Sequence, residues 1–118
     1  MCTKSPRLLT AVFATLLLAP AQNTERAESL LGDCTSKADV DRLSCVAYLS
    51  GVLDGVVLMQ KLMEQQKRAP LCLPDEGISM EQYRRIVVKW LEDRPNILHE
   101  SKRIHAVKAL LDAFPCKE

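Results

Sequence analysis

The sequence predicts an all-α protein, a small helical bundle stapled by disulfides that follows an N-terminal signal peptide. Apolar residues recur at spacings of three and four along several segments, and no segment shows the period-two alternation of a strand. Four cysteines, Cys34, Cys45, Cys72 and Cys116, lie beyond the export signal. Because a domain of this size buries little apolar surface, crosslinks that restrict its unfolded chain add the stability that it needs.

The first 21 residues have the pattern of an export signal. Lys4 and Arg7 precede the apolar run Leu8–Leu18, and the tripeptide Ala19-Pro20-Ala21 follows it. A helix over this run spans about 16 Å, roughly half of a ~30 Å hydrocarbon core, so it is too short for a membrane anchor. We therefore predict cleavage after Ala21, which leaves a mature chain without a membrane anchor in an oxidising space outside the cytoplasm.

The mature chain, residues 22–118, has the length of a single domain. Loss of residues 1–21 removes two of the 16 basic side chains and none of the 15 acidic ones, so its net charge is −1. Acidic and basic residues are interspersed, whereas a nucleic-acid-binding protein concentrates Lys and Arg on one face. The charge pattern therefore argues against nucleic acid as a partner.

The first predicted helix of the mature chain is Thr24–Leu31. Asn23 or Thr24 can cap its start, and Gly32 marks its end.

The longest predicted helix runs from Asp39 or Asp41 to about Lys67. Its apolar residues cover more than one stripe, which is typical of a helix at the centre of a bundle or one that faces a second copy of the chain, so we expect a homodimer. Gly51 and Gly55 remove side chains from one face and predict close helix packing, within the subunit or across the dimer. Asp54, in the middle of the segment, disfavours membrane insertion.

A loop, Ala69–Gly77, interrupts the helical pattern, and two further helices follow it. Ser79 opens a capping box with Gln82, which predicts a helix from Met80 to about Asp93. Pro95 ends that helix, and the last one is predicted from Asn96 or His99 to Ala113.

The four cysteines allow three pairings. Sequence proximity favours Cys34 with Cys45 and leaves Cys72 with Cys116. A zinc site is the alternative to disulfides, but the chain has no CxxC pair. His99 and His105 are six residues apart, so they do not lie on the same face of a helix. We expect no metal or other cofactor. Neither histidine has a recognisable catalytic context, so both are interpreted as surface or partly buried helix residues.

Several motifs together resemble the Rap/Tai family of immunity proteins. They are the run from Cys45 to Gly55, Cys72-Leu73-Pro74, Trp90-Leu91 with Pro95 close behind, and Ala109-Leu110 with Phe114-Pro115-Cys116. The resemblance covers nearly the whole mature chain. It implies a periplasmic, helical and often dimeric protein of type VI secretion that binds a peptidoglycan amidase effector of the NlpC/P60 type and blocks its catalytic cleft.

On this interpretation the protein is a stoichiometric inhibitor that presents a loop to the amidase, and it is not an enzyme. The two candidate segments are Gln65–Gly77, which is polar, braced by proline and tethered by Cys72, and the turn Asp93–Glu100. A loop that is ordered before docking loses less entropy when it binds. The residues that we expect to bind the partner are Gln66, Lys67, Arg68, Asp75, Glu76, Asn96 and His99.

The alternative hypothesis is a periplasmic stress chaperone that resembles the small helical acid-response proteins. Such a protein exposes apolar helix surface on acidification, and the broad apolar arc from Val46 to Met63 is suited to that role. An enzymatic role has the least support, because the available residues do not assemble into a nucleophile, a base and an orienting group.

Overall fold

The computed structural model describes residues 25–64 and 71–117, and within them the chain forms four α-helices. They are α1 (Ala27–Thr35), α2 (Asp39–Glu64), α3 (Met80–Glu92) and α4 (Lys102–Ala113), with a short 3-10 helix at Pro95–Ile97 before α4. The predicted all-α class is confirmed. The predicted signal peptide, residues 1–21, and the candidate binding residues Gln66, Lys67 and Arg68 lie outside the described residues.

Helix α1 begins later and ends later than predicted. Its N-cap residue, Arg26, makes no side-chain capping bond. Instead the backbone N–H of Ala27 donates to the carbonyl of Glu100 (2.8 Å), and that of Glu28 donates to Leu98 (2.9 Å). These bonds satisfy two of the N–H groups that a helix start leaves free. At the other end α1 continues past Gly32 to bury Cys34, so the predicted stop at Gly32 is wrong.

Helix α2 begins at Asp39, as predicted, and is described as far as Glu64. Only Cys45 and Leu49 of this 26-residue helix are buried, so α2 lies at the edge of the bundle and not at its centre. By length and apolar composition alone, α2 is the one helix of the described part that is suited to crossing a membrane.

Helix α3 follows its predicted bounds closely. The Ser79 hydroxyl accepts a hydrogen bond from the backbone N–H of Gln82 (3.1 Å), which confirms the predicted cap. Tyr83, Val87 and Leu91 lie fully buried at spacings of four, and the outward positions are mostly charged or polar. The helix is thus amphipathic, with one face in the core.

Helix α4 begins at Lys102, later than predicted, because Pro95–Ile97 forms a 3-10 turn instead of the first turn of that helix. Ser101 occupies the N-cap position but makes no side-chain capping bond. The backbone N–H of Lys102 donates to the carbonyl of Glu25 (2.9 Å), just ahead of α1. The starts of α1 and α4 therefore satisfy each other's backbone groups.

The core lies where α1, the first half of α2, α3 and α4 meet. Its buried apolar residues are Ala27, Leu30, Cys34, Cys45, Leu49, Leu71, Tyr83, Val87, Leu91, Ala106, Ala109 and Leu110. Both disulfides favoured by sequence proximity are present, Cys34–Cys45 between α1 and α2 and Cys72–Cys116 between the mid-chain loop and the C-terminus. Arg84 adds a tether from α3, because its Nη1 donates to the carbonyl of Cys34 (2.8 Å).

Candidate partner-binding surface

An apolar groove of about 460 Å³ lies between the second half of α2 and α4. On α2 its walls are Val52, Val56, Met59 and Met63, and on α4 they include Val107 and Leu111. The four α2 residues follow spacings of four, three and four, so they share one face of the helix. Gln60 and Arg103 supply the polar groups at this groove. The arrangement is suited to contact with an apolar or amphipathic partner surface.

The loop after the groove is fastened at its base. Leu71 lines the groove and is buried, and its carbonyl accepts a hydrogen bond from Nε2 of Gln60 (2.7 Å). The backbone N–H of Cys72 donates to the carbonyl of Phe114 (3.0 Å), beside the disulfide from Cys72 to Cys116. The chain therefore emerges from this point held to α2 on one side and to the C-terminus on the other.

The predicted binding residues Asp75 and Glu76 lie in an exposed turn four to five residues beyond Leu71. The turn is closed by a hydrogen bond from the N–H of Gly77 to the carbonyl of Pro74 (2.8 Å). Gly77 has a φ of 75°, in the left-handed region that a residue with a side chain rarely adopts. Both carboxylates are thus presented to solvent by a short closed turn.

The other predicted binding residues, Asn96 and His99, are exposed in the connection between α3 and α4. This connection lies at the opposite end of α3 from the turn with Asp75 and Glu76. The 13 residues of α3 span about 20 Å, so the structure does not bring the two predicted segments together. In addition, the Leu98 and Glu100 carbonyls cap α1, so the backbone of this connection is part of the scaffold.

The prediction that His105 lies at the surface or only partly buried is wrong, because its ring is 2% exposed. Its Nε2 lies 2.8 Å from Oε2 of Glu100, and Nε1 of Trp90 donates to its Nδ1 (3.4 Å). Since Nδ1 is an acceptor here, the tautomer with the proton on Nε2 fits the site, and that proton is donated to Glu100. This hydrogen bond lowers the pKa of Glu100. Ala106, Ala109 and Leu110 of α4 are also buried. The position of His105 among these apolar residues was the feature of the sequence that could have predicted its burial.

Through these two contacts the buried His105 joins Trp90 of α3 to the Glu100 connection and holds that connection in place. The Arg94 guanidinium stacks on the Trp90 ring, 3.5 Å from its centroid, and covers the outer side of this network. Within the described part of the chain, no group of histidine, cysteine, aspartate or glutamate side chains is arranged to hold a metal ion.

Gly51 and Gly55 line the groove, but no helix of the described chain packs against them. A Cβ added at either glycine would meet no described atom within 4 Å. The structure therefore offers no packing role for them within the subunit, and their predicted role across a dimer stays a prediction.

The exposed face of α3 carries an ion cluster at its start. Glu81 pairs with Arg84 (2.6 Å) and with Arg85 (3.0 Å). The hydrogen bonds from Arg84 and then Arg85 lower the pKa of Glu81 from 4.5 to about 2. A carboxylate in the first turn also interacts favourably with the helix dipole.

This cluster predicts a pH dependence of stability. A group whose pKa is lower in the folded state stabilises that state above its unfolded pKa, and the contribution is lost as pH falls through the folded value. We therefore expect the free energy of unfolding to fall more steeply between pH 4.5 and pH 2 in the wild type than in Glu81→Gln. Urea denaturation across this range measures it. Glu92→Gln, at an exposed position of the same helix, is the control and should follow the wild type; equal pH profiles for Glu81→Gln and wild type would contradict the prediction.

The model of the family described as Rap1a immunity proteins matches residues 6–116 of this chain. Comparison with curated proteins and with solved structures gives no match.

Proposed function

Because the chain belongs to the family of Rap1a immunity proteins, we propose that it neutralises an exported peptidoglycan amidase of type VI secretion by blocking the amidase's active-site cleft. An immunity protein acts on a partner effector protein. The identity of that effector as an amidase, and the cleft as the place of binding, are the parts that we propose.

The observation that carries the proposal is the fastened loop beside the groove. Leu71 and Cys72 are held by two hydrogen bonds and a disulfide, and the chain projects from them as a closed, exposed turn. A segment that is ordered before binding loses less conformational entropy when it docks. A loop of this kind is suited to entering a cleft and excluding substrate from it.

Of the two predicted segments, the structure favours the one that contains Asp75 and Glu76. Its base borders the groove, so the turn and the groove can contact one partner together. The connection with Asn96 and His99 already uses its backbone carbonyls to cap α1, and it lies at the other end of α3. We therefore place the main contact at Leu71–Gly77 and the adjoining groove.

We further propose that the protein acts in the periplasm, by binding and not by catalysis, and as a homodimer. The two disulfides support an oxidising compartment. All four of these cysteines are crosslinked, so none of them is a free thiol nucleophile, and His105 is buried away from solvent. The exposed apolar length of α2 supports a second subunit.

Titration of an NlpC/P60-type amidase from the same organism tests the proposal. We expect loss of peptidoglycan hydrolysis at a one-to-one ratio of subunits. Asp75→Lys combined with Glu76→Lys should raise the inhibition constant at least tenfold, which corresponds to about 1.4 kcal/mol of binding free energy. Asp112→Lys combined with Glu92→Lys, at exposed positions on α4 and α3, reverses the same number of charges and is the control.

An amidase that stays fully active in excess inhibitor would contradict the proposal for that pair. Protection of an unrelated client protein from aggregation near pH 3, without inhibition of any amidase, would favour the stress-chaperone alternative instead.

A further inference from the structure

The outer face of α2 carries most of the exposed apolar surface of the described chain. Six large apolar side chains are exposed in the described part of the chain; one of them, Ile104, lies on α4, and the other five lie on α2. They fall at its two ends, with Val40 (72% exposed) and Leu43 near the start and Leu58 (60% exposed), Met59 and Leu62 near the end. A soluble domain seldom leaves a helix face of this length uncovered.

One stripe on this face has the spacing of a helix–helix seam. Its members, separated by four, three, four, four, three and four residues, are Val40, Ser44, Ala47, Gly51, Gly55, Leu58 and Leu62. This spacing keeps all seven on one side of the helix. The large residues are at the ends and the small ones are in the middle. Around Gly51 and Gly55 there is open space, so another backbone has room to approach.

We propose that this stripe is the interface between two copies of the chain, whose α2 helices cross antiparallel with Gly51 against Gly51 of the partner subunit. The inference rests on the homodimer proposed above, and it does not depend on the identity of the effector. In this register Val40 packs against Leu62 of the partner subunit, and Ser44 packs against Leu58 of the partner subunit. Ala47 lies against Gly55 of the partner subunit at the closest part of the crossing.

The register is self-complementary. A two-fold axis at Gly51 packs the large residues near each end of α2 against the opposite end of α2 in the other copy. The small residues then lie at the crossing point, where the two helices are closest. Such mutual coverage by one patch is what a two-fold interface requires.

Charge favours the antiparallel orientation over the parallel one. Asp54 is exposed three residues from the centre. In the antiparallel register the two Asp54 positions are about 9 Å apart along the helix axis, whereas a parallel pairing at the same register places them directly opposite. The two helix dipoles also oppose each other in the antiparallel pair.

The interface is small, which predicts a dimer that dissociates at measurable concentrations. Helix α2 has 26 residues and is about 39 Å long. A seam of that length and one helix wide buries on the order of 1,000 Å² over both subunits, near the lower limit for specific interfaces. Gly51 and Gly55 also line the groove, so the seam adjoins it. Val52, Val56 and Met63 lie about 100° or more around α2 from the middle of the stripe, so these walls of the groove remain for the effector.

The first experiment measures the monomer–dimer equilibrium of the mature chain by analytical ultracentrifugation. Leu58→Glu should raise the dimer dissociation constant at least tenfold, and the exposed Ile104→Glu on α4 is the control that should leave it unchanged. Gly51→Leu has free space in the subunit, so it should keep the monomer folded and still weaken the dimer. A dimer that is weakened by Ile104→Glu and not by Leu58→Glu would overturn the proposed interface.

The second experiment tests the register with cysteine pairs. Equal amounts of Val40→Cys and Leu62→Cys chains should give a crosslink between the two variants under mild oxidation, with the native disulfides verified by mass mapping. Val40→Cys alone should not crosslink to itself. Self-crosslinking of Val40→Cys without the mixed product would show a parallel pair and overturn the register. A wild type that is monomeric at all concentrations would overturn the dimer, while the amidase titration would still decide the proposed function by itself.

Discussion

Replacing Cys72 and Cys116 together by alanine is expected to lower the free energy of unfolding by about 4 kcal/mol. The disulfide joins residues separated by 44 positions, and a crosslink that closes a long loop removes much of the conformational entropy of the unfolded chain. The corresponding figure for Cys34–Cys45, with a separation of 11, is about 3 kcal/mol. Since single domains are stable by about 5–15 kcal/mol, the longer crosslink accounts for a large part of the total.

Urea denaturation of the oxidised proteins, followed by far-ultraviolet circular dichroism, measures this loss. Lys117→Ala changes the exposed residue next to Cys116 and leaves the crosslink in place, so it should unfold with the wild type. A Cys72→Ala, Cys116→Ala protein whose unfolding midpoint matches that of the wild type would contradict the expected contribution.

Tyr83→Ala is expected to destabilise the protein by about 3–5 kcal/mol, which is the usual cost of removing a buried aromatic ring. Tyr83 is the largest fully buried side chain of the described core. Its hydroxyl donates to the carbonyl of Ala106 (2.9 Å), so the same residue also joins α3 to α4. Burial, followed by the nearby Tyr48, raises the pKa of the Tyr83 phenol well above its ordinary value, so the hydroxyl stays a donor into alkaline solution.

Tyr83→Phe separates the ring from the hydrogen bond. It keeps the ring in the core and removes only the donor, so it should cost about 1 kcal/mol. Both variants are compared with wild type by chemical denaturation. If Tyr83→Phe proved as damaging as Tyr83→Ala, the hydrogen bond to Ala106 and not the packing of the ring would be the dominant contribution.

The parts of the fold that the sequence predicted well depend on nearby residues. Ser79 and Pro95 bracket α3, and both the cap and the stop are local chemistry. The disulfide pairing followed from sequence proximity. In contrast, the starts of α1 and α4 were misplaced, because the groups that cap them are backbone atoms 70 or more residues away along the chain.

The candidate site was predictable only in part. Asp75 and Glu76 lie in an exposed turn, as a loop with Pro74 and Gly77 suggests. The groove was not predicted, since α2 is apolar over so wide an arc that its sequence does not show which face the bundle covers. The separation of Asp75 from Asn96 could be read from the sequence, because the predicted bounds of α3 place about 20 Å of helix between the two segments.

The mutual capping of α1 and α4 constrains when the protein can fold. A chain that crosses a membrane with its N-terminus first delivers α1 long before Leu98, Glu100 and Lys102 arrive. Until those residues emerge, the first turn of α1 lacks its acceptors, and Cys72 cannot meet Cys116. Completion of the native state therefore waits until almost the entire polypeptide has emerged, and in the periplasmic location proposed above the early segments must stay soluble as an open chain until then.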